Sequence, residues 1–185
     1  ATSIVVDNSN IPIVAGVQES GKGDFFLGMY NIHADNTDGN SDASFSLVGI
    51  SAETYDIITD IAVDPQTNDL IVVGNKGESN NKNTNIIIQR FHIDKDALQF
   101  NFDNEFNTTG IVKETIRYTS QGEENDNGEE EIKHMFATSC LVDNRKNIIV
   151  TGHVNSFDSF IIALRKTGER VLPGMHFSIG HDDNV

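Results

Sequence analysis

The sequence predicts an all-β chain of β-propeller-like type: three four-stranded blades, which make half or a fragment of a closed propeller. Three observations carry this. Apolar runs of about five to seven residues, rich in Ile, Val and Phe, are separated by turns of Asn, Asp and Gly, the composition of strands and their connections. The runs are nearly continuous rather than alternating, a pattern of burial on both faces. One order of runs and turns also recurs three times. Repeated four-stranded sheets buried on both sides describe propeller blades, each sandwiched between two others.

Each repeat opens with a hairpin. The stretches are "SIVVDNSNIPIVAG" (Ser3 to Gly16), "DIAVDPQTNDLIVVG" (Asp60 to Gly74) and "SCLVDNRKNIIVTG" (Ser139 to Gly152). In each, an apolar run meets an Asp (Asp7, Asp64, Asp143), then a polar turn, a β-branched run and a Gly (Gly16, Gly74, Gly152). A third run follows: "DFFLGMYN" from Asp24, "NIIIQRFH" from Asn85 and "SFIIALRK" from Ser159. Next comes a turn that ends in Phe: "DGNSDASF", "FNFDNEF" and "TGERVLPGMHF". In the first two repeats a Gly then leads into a last short strand, "VGIS" at Gly49 and "TGIV" at Gly110, while the third stops near Gly180 without one. The repeats occupy about 1–58, 59–136 and 137–185 of a single domain spanning 1–185. The best helix candidate, "GEEEIKHMFATSC" from Gly128, overlaps the slot of the third repeat's inner strand, so a strand is expected there.

The ordered recurrence of "IPIVAG", "DFFLGMYN" and "DGNSDASF", of "DLIVVG", "NIIIQRF" and "DNEFNTTGIV", and of "NIIVTG" and "SFIIAL" resembles the delta-60 repeat of bacterial propeller-like proteins. The resemblance covers nearly the whole chain except the insert around Thr119 to Glu131. Arg90 matches the family's arginine, whereas Met29 and Leu164 stand in its place in the other repeats, and the third repeat lacks the family's acidic-Phe turn. The resemblance implies a binding or scaffold module of an exported or cell-surface bacterial protein, extracellular or periplasmic, with a protein or carbohydrate ligand.

Composition narrows the partners. A net charge of −15 over 185 residues argues against nucleic acid, which needs basic patches, and against an anionic membrane surface. No run of about eighteen apolar residues suggests a membrane span. One cysteine, Cys140, excludes an internal disulfide. The chain begins at Ala1 without Met or a visible signal peptide, as a processed product or a piece of a longer protein would. Three blades do not close a ring. The expected partner is therefore a second copy, three plus three, or further repeats completing the propeller.

The stretch "HADNTDGNSDASF", His33 to Phe45, looks like a calcium loop. An EF-type loop needs Gly at its sixth position and a bidentate Glu at its twelfth. With Gly39 sixth, the first and twelfth positions fall on Ala34 and Phe45. The stretch reads better as a turn with an inserted "HADNT", in which Asp35, Asp38 and Asp42 are the candidates for a loosely held calcium ion. Cys140 occupies the slot of Ile4 and Ile61 and is expected to be a core residue rather than a nucleophile. The histidines lack metal-site spacing; His176 and His181 lie near Asp182 and Asp183 with no further ligand to place. "GEENDNGEEE", Gly122 to Glu131, puts six carboxylates in the nine residues from Glu123 and reads as a solvated loop.

No nucleophile elbow, phosphate loop or dinucleotide fingerprint is present. A non-enzymatic module without catalytic or cofactor-binding residues is the first expectation. The alternatives are a glycoside hydrolase or lyase using paired carboxylates at the propeller mouth and a calcium-dependent adhesion module.

Overall fold

The structure is a computed structural model that describes residues 1–18, 24–32, 43–50, 57–77, 84–114, 135–154, 158–171 and 175–177. These residues form three antiparallel sheets. The first runs β1 (Ser3–Val6), β2 (Pro12–Gln18), β3 (Asp24–Ile32), β4 (Ala43–Ile50). The middle sheet runs β5 (Ile57–Val63), β6 (Asp69–Gly77), β7 (Thr84–Asp94), with β8 (Gln99–Phe102) and β9 (Ile111–Glu114) both pairing with β7. The third runs β10 (Met135–Val142), β11 (Ile148–Val154), β12 (Asp158–Leu164), β13 (Met175–Phe177). The described residues contain no α-helix, hence none long and apolar enough to cross a membrane. Met135–Val142, which overlaps the end of the stretch that competed as a helix, is a strand.

One turn chemistry joins the first two strands of every sheet. The carboxylate Oδ1 of Asp7 accepts the amides of Ser9 and Ile11, that of Asp64 the amides of Gln66 and Thr67, and that of Asp143 the amides of Arg145 and Asn147. Each satisfies donors that a tight turn leaves unpaired, the usual reason for Asp at such a corner. Each turn also carries a left-handed residue: Asn10 (φ 64°), Asn68 (φ 63°) or Lys146 (φ 65°). Asn adopts that region readily; Lys146 does so against its side-chain preference.

The middle sheet lies between the other two, and alternation along its strands divides its side chains. Ile61, Leu70, Val72, Ile87 and Phe91 pack with Ile13, Leu27 and Met29 of the first sheet. Ala62, Ile71, Val73, Ile86 and Ile88 pack with Val150, Phe160 and Ile162 of the third. This two-sided burial explains why β7 reads as an unbroken apolar run: Asn85 to Gln89 are all buried.

Register corrects one sequence assignment. Arg90 pairs with Ile71, Met29 with Ile13, and Ala163 with Ile149. Since Ile13, Ile71 and Ile149 face Val5, Ala62 and Leu141 in turn, the third counterpart of Arg90 is Ala163, not Leu164. The edge of the middle sheet is also more elaborate than expected. The first sheet presents one strand, β4, along β3. The middle sheet splits that edge into β8 and β9 around a single 3-10 turn at Phe106–Thr108.

Polar side chains tie the sheets together. Asp60 of β5 takes the Ser3 hydroxyl of the first sheet on Oδ1 (2.7 Å). Its Oδ2 takes the Ser139 hydroxyl (2.9 Å) and the Cys140 amide (2.8 Å) of the third. Buried Asn75 accepts the Ala137 amide (2.9 Å) and donates to the Ala137 carbonyl (3.3 Å), where β10 bulges. Because one carboxylate serves three donors on two neighbouring sheets, Asp60→Ala should cost about 2–3 kcal/mol in urea unfolding. A loss under about 0.5 kcal/mol would show that water replaces it without penalty.

Candidate functional site

The three Asp turns lie in a row, bonded turn to turn. Asn8 donates its side-chain amide to the Pro65 carbonyl (3.0 Å) and its backbone N–H to Asn68 Oδ1 (2.8 Å). Gln66 donates to the Asn144 carbonyl (2.7 Å). Beside this row opens a half-open cleft of about 220 Å³, lined by Asp64, Thr67, Asp69, Arg90, Lys146, Lys166 and Thr167.

Arg90 organises the cleft. Its position on β7 aims it toward the third sheet, where Nη1 donates to the Lys166 carbonyl (2.5 Å). Nε donates to Asp103 Oδ2 (2.5 Å), Nη2 is ion-paired with the same oxygen, and the guanidinium lies 5.0 Å from the Phe106 ring centroid. This fork-and-stack arrangement suits arginine and not lysine. On the next strand turn, His92 Nδ1 is 2.7 Å from Asp69 Oδ1, and Nε2 lies 3.8 Å from Asp103 Oδ2. Thr67 donates its hydroxyl to the other Asp69 oxygen (2.8 Å). The two carboxylates flank opposite nitrogens of one ring and so do not converge on a common point. Among the described residues no group of three or more His, Cys, Asp or Glu side chains is placed to hold a metal ion.

Burial raises the Asp103 carboxyl, but hydrogen bonds from Arg90 and the Glu105 amide, and the positive charges of Arg90 and His92, outweigh it and leave it below its ordinary 3.8. A carboxylate with a depressed native pKa stabilises the fold above its unfolded value, and that contribution disappears as pH falls through the lower native value. Asp103→Asn should therefore cost about 2 kcal/mol at neutral pH. It should also flatten the fall of stability with acidification below about pH 4. Denaturant titrations of both proteins from pH 7 to pH 2 check this; parallel stability–pH curves would remove Asp103 as the source.

The Asp143 carboxyl is lowered too, chiefly by the hydrogen bond from the Asn147 side chain and then by its backbone amide. The Cys140 thiol is pushed far up, by burial first and by Asp60 second, and it sits in the core as an inert group.

Sequence reasoning found Arg90 through the resemblance but placed no partner beside any histidine, His92 included. It missed Asp69 and Asp103, whose roles depend on pairing across β6, β7 and the turn after β8. The calcium candidates Asp35, Asp38 and Asp42 lie outside the described residues, as do His33, His181, Asp182, Asp183 and the acidic insert Gly122 to Glu131. The sequence matches no protein-family model and no curated protein.

Proposed function

We propose that the chain is a non-enzymatic binding or scaffold module, built of propeller-type blades akin to the delta-60 repeat. Its setting is an exported or cell-surface protein, and its ligand is a protein or a carbohydrate. One observation carries most of the weight: the strongest polar groups are used in joining sheet to sheet. Asp60, Asn75 and Arg90 each bond to a neighbouring sheet. The cleft beside Arg90, about 220 Å³, falls below the roughly 300–1,000 Å³ of small-molecule sites. Its carboxylates, Asp64 and Asp69, are occupied as hydrogen-bond acceptors, and Asp103, the partner of Arg90 outside the lining, is held ionised. A glycosidase acid needs the opposite, a raised pKa.

The test is equilibrium binding to a panel of soluble polysaccharides and cell-surface proteins, with product analysis on every polysaccharide that binds. Retention of a ligand with unchanged chain length is the expected result. Polysaccharide cleavage lost in Asp69→Asn or Asp103→Asn overturns the reading in favour of an acid-residue hydrolase.

A further inference from the structure

We propose that the two open sheet faces of the chain are the two halves of one junction, and that a second copy of the chain docks on them head to tail. The inference rests on the repeated-sheet reading above and not on the scaffold role.

The junction is already used twice inside the molecule. Register makes Ile4, Ile61 and Cys140 counterparts, and likewise Val6, Val63 and Val142, and Val14, Val72 and Val150. On the middle sheet this face is buried against the first: Ile61 and Val72 are core, with Val63 packed on them. On the third sheet it is buried against the middle: Cys140 and Val150 are core, with Val142 packed on them. On the first sheet the same positions stand open: Ile4 is 65% exposed and Val6 54%.

The opposite face follows the same rule. Ile13 and Leu27 of the first sheet, and Ile71 and Ile88 of the middle, are buried against the next sheet along. Their counterparts on the third sheet, Ile149 and Ile161, are only partly buried, and Leu141 beside them is 53% exposed.

Charge points the same way. The chain has 22% charged residues, yet on one face Ile4, Val6, Pro12, Val14 and Phe26 carry none, and the register places a single charged residue, Asp24, at the end of β3 on that face. Leu141, Ile149, Thr151, Ser159, Ile161 and Ala163 on the other carry none either. Ala163 stands where Arg90 reaches across the inner junction.

Because the two halves differ, the contact is heterologous, which gives either a closed ring or an open filament. Two copies supply six sheets, within the four to eight of closed propellers. We assign the closed pair.

The test is sedimentation of the full chain at micromolar concentration. A particle of twice 20.3 kDa is expected. Val6→Asp and Leu141→Asp, on opposite faces, should each weaken self-association about a hundredfold or more, since each would bury an unpaired charge. Both variants should keep the far-ultraviolet circular dichroism of the parent. Mixed together they should associate through one intact junction, more tightly than either variant alone, because each retains the half that the other lacks; the second junction would set aspartate against aspartate, so the closed pair is not restored. A folded monomeric parent overturns the proposal. So does a Leu141→Asp variant that dimerises normally, which would mean that the Ile4 face pairs with itself, and so does a concentration-dependent polymer. None of these outcomes bears on ligand binding, which is scored separately.

Discussion

Phe106→Ala should lower stability by about 3–5 kcal/mol, the range for truncating a fully buried aromatic side chain. Phe106 has no exposed surface and belongs to the core between the middle and third sheets. It is held there by an unusual piece of backbone. The turn places Asn107 and Thr108 at φ 51° and 60°, and the Asn107 amide donates to the Thr167 carbonyl (2.8 Å). A β-carbon on Gly168 would come within 3.2 Å of the ring, so the connection after β12 closes directly over it. The ring is also the surface on which the Arg90 guanidinium lies. Its removal leaves a cavity and loosens the residue that ties β7 to Asp103 and Lys166. For a chain of this length the loss corresponds to a fall in Tm on the order of 10 °C. Phe106→Leu keeps most of the apolar volume and should lose less than half as much. Urea unfolding of the two variants decides it; an alanine variant within about 1 kcal/mol of the parent would show that the site collapses around the gap.

Much of the β-architecture is legible in the order of apolar runs, because a strand buried on both faces leaves a local signature. The hairpin turns are legible for the same reason: an Asp that bonds the amides two and three or four residues on needs nothing from elsewhere in the chain. What lies between sheets leaves no such mark. Ile4, Ile61 and Cys140 share one slot, yet Ile61 and Cys140 are buried and Ile4 is 65% exposed, since burial depends on whether another sheet stands opposite. Asp60 reads as one more turn acid near an apolar run, and only the stacking of β1, β5 and β10 turns it into a three-way acceptor. The cleft was legible in part. Arg90 could be singled out, but its partner Asp103 follows a strand, β8, that the first sheet does not possess as a separate element. The shift from Leu164 to Ala163 as the counterpart of Arg90 is a one-residue register error, which in a strand exchanges one face for the other.

Gly152→Ala should be the most disruptive single-methyl addition, costing about 3 kcal/mol, at the upper end of overpacking. Gly152 sits in the middle of β11, opposite Ala137 on one side and Phe160 on the other. A β-carbon there would lie 2.0 Å from the Phe136 carbonyl oxygen and 2.6 Å from the Phe160 ring. The first obstacle is backbone, at the bulge where Asn75 clips β10 to the middle sheet, so relief requires moving the bulge and breaking that clip. Its counterpart Gly16 offers an internal control. A β-carbon at Gly16 would meet the half-buried Phe26 ring at 2.7 Å and the exposed Ala1 at 3.1 Å, neither of them pinned by a clip like that of Asn75 on β10. Gly16→Ala should therefore cost only about 1 kcal/mol. The same glycine thus serves two purposes: in both sheets it lets a Phe of the next strand lie across the backbone, and in the third it also admits a carbonyl. Equal losses for the two variants in urea unfolding would show that the Phe contact alone sets the requirement, and that the bulge of β10 yields freely.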